Sequence, residues 1–377
     1  MTRFRAGEYD PAVKEKRAIL PGFRRELERI PPYRVFTPAH EIKLNQNESP
    51  IDLPAALREQ ILIRLRETPW NRYPDYPARP LESLIAKRIR VAKARVMVGH
   101  ASNELLYATA LATLERGKTM VTGAPGYPVA KLAATLAGGR IVEVPADARY
   151  QYEVDPIIAA IRKHDPRLVF LPSPNNPTGS TLSRDDVARI CDATGNLVMI
   201  DEAYREFSGI AIQALLGRFR NLVLLRTLSK AARLAAFRIG YLVGDPDVLS
   251  RIERAKPPHS IDVPAQIAGE TLFASRDMLK AEIARVRRER TRVMKSFAKL
   301  PGVDVFPSRA NFFLIRTEDA ADFDKALLAQ GILIRAVGAA PTAPPALRNC
   351  LRISLGTNRE NNALVAAARR YFRGGDR

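Results

Sequence analysis

With 377 residues, 46% of them hydrophobic and 27% charged, the chain has the balance of a soluble globular protein and is long enough for more than one core. No stretch approaches the ~20 apolar residues that span a bilayer, and Met1 to Asp10 mixes Arg3, Arg5, Glu8 and Asp10 with no apolar segment behind them, so a cytoplasmic protein without a secretory leader is expected. Sixty Lys plus Arg against forty Asp plus Glu leave +20, but the basic residues are dispersed among acids, as around Glu289 in Arg285 to Arg292, which argues against a nucleic-acid surface and for a field that draws in small anions.

Ahead of Asn47 the chain is Pro-rich near Pro31, Pro32 and Pro38 and too short for a core of its own, so it is expected to pack on a smaller domain. From about Ser102 to Val243, short apolar runs alternate with amphipathic segments, the signature of parallel strands joined by crossover helices. Thr119 to Thr122, Arg140 to Val144, Leu168 to Leu171, Leu197 to Ile200, Leu222 to Leu225 and Ile239 to Val243 read as strands. Asn103 to Leu114, Pro128 to Leu136, Pro156 to Lys163 and Arg184 to Asp192 read as helices. In open sheets of this kind ligands sit beyond the carboxyl ends of the strands, so the loops there are expected to carry function. After Arg251 the character changes: Pro257, Pro258 and Pro264 interrupt the chain, and a charged helical stretch runs from about Ala265 to Leu300. Strand-like pieces at Phe312 to Ile315, Ile332 to Arg335 and Leu351 to Leu355 precede a closing helix from about Glu360 to Phe372. The expected architecture is α/β, with a mostly parallel central sheet flanked by helices in a large domain, residues 48–255. A smaller α/β domain is expected from residues 1–47 with 256–377.

Cys191 and Cys350 stand far apart without metal-ligand or Cys-x-x-Cys spacing, and His40, His100, His164 and His259 are scattered. Neither a disulfide, a metal site nor a histidine catalyst is expected. The chemistry concentrates elsewhere. Lys230 closes Thr227, Leu228, Ser229, Lys230, delivered to a loop by the run Leu222 to Leu225. Asn176 lies in Asn-Asn-Pro-Thr-Gly, and Asp201 and Tyr204 lie in Asp-Glu-Ala-Tyr, each group closing an apolar run. That order suits pyridoxal phosphate, which needs an amine for its aldehyde, an anion for its ring nitrogen, a donor for its ring oxygen, a phosphate cradle and a stacking surface. Lys230 supplies the amine, and burial with neighbouring positive charge would lower its pKa for proton transfer. Asp201 supplies the anion, while Tyr204 and Asn176 suit the ring oxygen, Asn176 also reaching a substrate carboxylate. The cradle is read as the loop Gly99, His100, Ala101, Ser102, Asn103 opening a helix, where free amides and the helix dipole favour an anion; Thr227, Ser229 and Arg238 add hydroxyl and guanidinium contacts. Tyr127 can lie flat on the ring. Arg352, inside the apolar run Leu351 to Leu355, is costly there unless it meets an anion, and its fork suits a carboxylate.

On these motifs, and on Asn45 to Glu48, Arg72 to Asp75, Glu206 with Phe207, Ala310 to Phe312 and Leu351 to Ser354, the chain resembles the class I/II, fold-type I aminotransferases over most of its length. Within them it is most similar to the histidinol-phosphate aminotransferases. His100, Ala130 and His259 depart from the usual residues at their positions. The resemblance implies a fold-type I architecture, pyridoxal 5'-phosphate as cofactor, small amino and keto acids as partners, and a homodimer with shared active sites. It places Tyr73 on the cofactor phosphate of the neighbouring subunit, and Asn47, Tyr33 and Arg335 beside the substrate, Arg335 facing a substrate phosphate. The expected reaction moves an amino group between glutamate and an amino substrate, histidinol phosphate first. An aromatic amino-acid aminotransferase or a phosphothreonine-type decarboxylase on the same scaffold are the alternatives. A pyridoxal-binding regulator is more remote, since the residues ahead of Asn47 are few for a DNA-reading helix-turn-helix and its linker.

Overall fold

Strands that are apolar on every residue, rather than on alternate ones, must be covered on both faces, and the central strands of this protein are of that kind. The structure, a computed structural model, describes Arg24, Ile30 and residues 38–275, 279–338 and 343–374. The chain runs through β1 (Ile42–Lys43), α1 (Ala55–Glu67), α2 (Arg79–Ile89), β2 (Val96–His100), α3 (Ala101–Thr113), β3 (Thr119–Ala124), α4 (Pro128–Leu136) and β4 (Arg140–Pro145). It continues through α5 (Val154–His164), β5 (Leu168–Pro172), α6 (Arg184–Asp192), β6 (Leu197–Asp201), α7 (Arg205–Ser208), β7 (Leu222–Thr227), β8 (Ile239–Val243) and α8 (Pro246–Glu253).

These elements build a seven-stranded sheet in the order β2-β8-β7-β6-β5-β3-β4. Pairings from β4 across to β7 are parallel, and β8 runs antiparallel to both β7 and β2. Period-two alternation splits the apolar residues between two cores. Val121, Val169, Val198, Leu224 and Tyr241 pack on one face with α2, α5, α6 and α9 residues such as Ile85, Ile161, Ile190 and Ala268. Met120, Phe170, Met199, Val223 and Leu242 pack on the other with Leu105, Ala133 and Leu249 from α3, α4 and α8. Local chemistry starts the helices: Ser183 and Asp186 form a capping box at α6, and Pro occupies the first turn of α4 and α8.

Beyond the sheet come α9 (Val263–Ala274), α10 (Lys280–Phe297), β9 (Asp304–Val305), β10 (Phe312–Arg316), α11 (Ala320–Ala329), β11 (Ile332–Leu333), β12 (Arg335–Ala336), β13 (Cys350–Ser354) and α12 (Asn358–Arg373). They form an antiparallel sheet, β12-β13-β10-β9, and a two-stranded parallel pairing of β1 with β11. A separate core of Phe312, Phe313, Ile315, Val293, Phe297 and Leu364 joins this sheet to α10 and α12.

Three local expectations are corrected. Gly99 and His100, read as loop, are the last residues of β2, paired with Gly240 and Ile239; the glycine inside so short a run concealed the strand. The stretch from Ala265 to Leu300 is two helices, because Asp262 caps α9 and Ser275 turns extended at φ −80°, ψ 142° to end it. Ile332 to Arg335 is divided between two sheets, β11 pairing with β1 and β12 with β13. Among the described residues no helix is long and apolar enough to cross a membrane.

Candidate active site

Parallel strands end on one edge of the sheet, and the polar residues that terminate β5, β6 and β7 meet there. Asp201 is the last residue of β6, 7% exposed, with Oδ1 accepting from the Ala203 N–H at 3.0 Å. Burial pushes its carboxyl up to about 7, Glu202 adding to the rise while the Ala203 bond and Lys230 oppose it. Lys230 follows β7 in the neighbouring loop; its Nζ donates to the Gln46 carbonyl at 2.9 Å and lies 5.8 Å from the centre of the Tyr204 ring. Burial first, and then the guanidinium of Arg352, bring the amine down to about 8, against the pull of Glu48. An amine poised there can exchange protons near neutrality.

The cradle forms where α3 starts. Ala101 opens that helix at φ 62°, with its N–H donating to the Arg238 carbonyl at 2.6 Å, and Arg238 itself sits at φ 53°. Non-glycine residues hold that conformation only when their surroundings impose it. Here Gly240 allows the approach: a Cβ on it would stand 2.4 Å from the Ala101 carbonyl carbon and the Ser102 nitrogen. Around this helix start, Thr227 Oγ1 donates to Ser229 Oγ at 3.0 Å and the Ser229 N–H donates to Thr227 Oγ1 at 3.1 Å. Arg238 Nη1 reaches Ser229 Oγ at 3.4 Å. The Tyr127 hydroxyl donates to Asn103 Oδ1 at 3.0 Å, tying the aromatic to the same turn.

The opposite wall comes from the second sheet. Arg352, on β13, is 8% exposed; Nη1 donates to Asn176 Oδ1 at 2.7 Å, Nη2 to the Asn45 carbonyl, and the guanidinium lies 5.5 Å from the centre of the Phe312 ring. Arg335 on β12 is its direct cross-strand partner, which puts the two side chains on one face of the sheet. Asn47, at φ 55°, knits the walls together: its Nδ2 donates to the Tyr204 hydroxyl at 3.1 Å, Ser354 Oγ donates to its Oδ1 at 2.8 Å, and its carbonyl accepts from Asn311 Nδ2 at 3.0 Å. Tyr204 packs edge-on against Phe312 with ring centres 5.0 Å apart.

Lys230, Asp201, Tyr204, Asn176, Asn47 and Arg352 therefore converge on one locus, with Ala101, Ser102, Asn103, Tyr127, Thr227, Ser229 and Arg238 grouped at the start of α3. Tyr73 is 85% exposed and its ring lies 5.1 Å from that of His259. Tyr33 lies outside the described residues. Three contributors escape sequence reasoning. Gln46 binds Lys230 through a backbone carbonyl, which carries no residue signal. The Tyr152 hydroxyl donates to the Pro172 carbonyl at the end of β5 at 2.8 Å, beside Asp201. Glu104, spaced to reach back one helical turn, accepts from the His100 N–H at 2.6 Å and from Ser260 Oγ at 2.9 Å.

A buried amine, a buried carboxylate, hydroxyls and a guanidinium at a helix N-terminus, and a tyrosine beside them fit pyridoxal 5'-phosphate part by part. The comparisons agree. The sequence profile of the family "Aminotransferase class I and II" matches residues 39–368. A histidinol-phosphate aminotransferase of Prosthecochloris aestuarii is 38% identical over 327 residues, covering 86% of this chain and 90% of that one. One from a Thermoanaerobacter species is 34% identical over 344 residues, 91% and 96% of the two chains. The crystal structure of histidinol-phosphate aminotransferase from Sinorhizobium meliloti in complex with pyridoxal-5'-phosphate superimposes with a TM-score of 0.83 at 25% identity, over 95% of this chain and 99% of the other. The fold is also that of an L-threonine-O-3-phosphate decarboxylase from Porphyromonas gingivalis, with a TM-score of 0.77 at 21% identity, so architecture alone does not choose the reaction. The chain belongs to the class I and II aminotransferases, as a pyridoxal-phosphate-dependent transaminase of the fold-type I architecture.

Proposed function

We propose that this enzyme exchanges an amino group between glutamate and histidinol phosphate, with 2-oxoglutarate and imidazole-acetol phosphate as the keto partners. The observation that carries the reading is the cross-strand pair Arg335 and Arg352 on one face of β12 and β13. Two arginines on one face of the sheet suit two dianionic ligands in turn, the two carboxylates of glutamate and the phosphate of the amino alcohol. Histidinol phosphate has no α-carboxylate, so Arg352 serves glutamate and phosphate alternately. The relatives named above share this substrate in their names.

When bound, the cofactor supplies the electron sink that makes the substrate α-hydrogen acidic. Lys230 would hold the cofactor's aldehyde end, and its amine, brought down to about 8 by burial, would take up and return the substrate's α-proton. Asp201 would hold the ring nitrogen, its negative charge favouring the protonated form of that nitrogen. Tyr204 and Asn176 would serve the ring oxygen, Tyr127 would stack on the ring, and Ala101, Ser102, Asn103, Thr227, Ser229 and Arg238 would hold the phosphate. Asn47 would flank the substrate.

The active assembly in this reading is a homodimer with shared sites, in which Tyr73 reaches the partner's cofactor phosphate. Leu62, Ile63, Trp70, Tyr73 and Tyr76 are all exposed between residues 62 and 76, Trp70 by 87%, an apolar patch that a second copy would cover. Residues 48–255 act as the large domain and 256–377 as the small one, in a cytoplasmic enzyme. The test is a donor and acceptor panel followed by the absorbance of the bound cofactor: glutamate and histidinol phosphate are expected to change it, each reversed by the other's keto partner. A spectrum that answers to aromatic amino acids and not to histidinol phosphate, or carbon dioxide release from a phosphoamino acid, would overturn the substrate assignment. A monomeric mass in solution would overturn the shared site.

A further inference from the structure

Behind Asp201, where Gln213 binds the Ile89 carbonyl, lies a buried charged network. Arg226 alternates with Leu225 along β7 and so faces the side of Leu224, and Glu202, the residue after Asp201, meets it there. Glu202 and Arg226 are each 2% exposed, joined by Nε to Oε2 at 2.7 Å. Arg226 Nη1 also donates to Gln213 Oε1 at 2.9 Å, and Gln213 Nε2 to the Ile89 carbonyl at 2.7 Å. Arg226 lies on β7 between Leu225, the register partner of Asp201, and Thr227 of the cradle. The Glu202 N–H donates to the Leu225 carbonyl at 2.7 Å.

A buried ion pair contributes little to stability compared with apolar residues of equal volume, whereas removing one partner leaves a costly unpaired charge. Its position next to the counter-ion of the cofactor therefore calls for another explanation. We propose that Arg226 is a positioning residue for Asp201: by pairing with Glu202 it cancels the like charge beside Asp201, leaving Asp201 free to hold its own charge against the cofactor ring nitrogen at neutral pH. This rests on the reading of Asp201 given above. The surroundings leave little margin, since burial and then Glu202 both favour the protonated carboxyl. The other titratable groups facing the pair and Asp201 are Lys230, Tyr152, Tyr241, and Arg205 and Glu206 of α7, with Arg205 Nε 3.7 Å from Glu202 Oε2.

The experiment measures the dissociation constant of pyridoxal 5'-phosphate from the apoprotein between about pH 5.5 and 8.5. Ionisations of the ligand are common to all variants, so differences between variants report the protein. Arg226→Met is expected to raise the pH at which affinity is half lost by about one unit or more, and Glu202→Gln to lower it, because each leaves a charge of opposite sign beside Asp201. The double variant is expected to return toward wild type. A role confined to packing predicts no shifts of opposite sign, and that result overturns the proposal. Asp201→Asn should abolish the loss of affinity on the acid side, the transition that Asp201 sets, leaving only the dependence that Lys230, near pH 8, gives every variant. If it does so while Arg226→Met and Glu202→Gln leave the midpoint unmoved, the proposal alone falls; if the transition survives Asp201→Asn, the reading of Asp201 falls with it. Should Arg226→Met fail to fold, Glu202→Gln still decides by the sign of its shift, and Arg226→Lys, which keeps the charge, is expected to keep the midpoint.

Discussion

Replacing Asp201 by Asn is expected to make the apoprotein more stable at alkaline pH while ruining its hold on the cofactor. The buried carboxyl titrates near 7, against an ordinary value of 3.8. A value raised in the folded state gives stability that is fully present below 3.8 and lost as pH rises through 7. At pH 5 the folded carboxyl lies two pH units below its midpoint and holds a proton that the unfolded chain has mostly released. At 1.36 kcal/mol per unit that is about 3 kcal/mol of stability, absent at pH 8.5 where both states are ionised. Asn carries no such dependence. It keeps the acceptor for the Ala203 N–H but brings an amide N–H without a defined partner, at a cost of about 1 kcal/mol at every pH. The stability of the variant relative to wild type should therefore rise by about 3 kcal/mol between pH 5 and pH 8.5. Urea unfolding of both apoproteins at the two pH values measures it. A difference between the proteins that is the same at both pH values would refute the assignment of a buried, proton-holding carboxyl.

Other perturbations read other parts of the site. In the apoprotein, labelling of Lys230 by an amine reagent should be half-maximal near pH 8, and Arg352→Met should move that midpoint upward, because a neighbouring positive charge disfavours the ammonium; mapping the label by mass spectrometry at several pH values checks both. Gly240→Ala would place a methyl 2.4 Å from the Ala101 and Ser102 backbone, so the start of α3 must shift, and cofactor affinity should fall by about tenfold or more, roughly 1.4 kcal/mol, in equilibrium dialysis. Arg335→Ala removes a charge-assisted contact of about 1.5 to 3 kcal/mol, which predicts a rise of about 10- to 100-fold in KM for phosphorylated substrates and a smaller one for plain amino acids; equal rises in steady-state kinetics would remove Arg335 from phosphate binding.

Short apolar runs alternating with amphipathic segments placed β3 to β8 in the sequence, because strands such as β5 and β6, buried on both faces, have almost nothing polar to interrupt them, while the half-exposed edge strand β4 follows from its place between helices. The polar residues closing those runs, Asp201, Lys230 and Asn176, were read as a site because strand ends are where such a sheet meets ligands. What the sequence could not show is everything that depends on contacts across hundreds of positions. The backbone carbonyl of Gln46 receives Lys230, Asn47 joins Tyr204 to Ser354, and Arg335 stands in register with Arg352 on neighbouring strands of the second sheet. Tertiary packing also set the ionisation of the site, since the same carboxyl and amine titrate at their ordinary values in an open chain and are moved toward neutrality only when burial strips away their water.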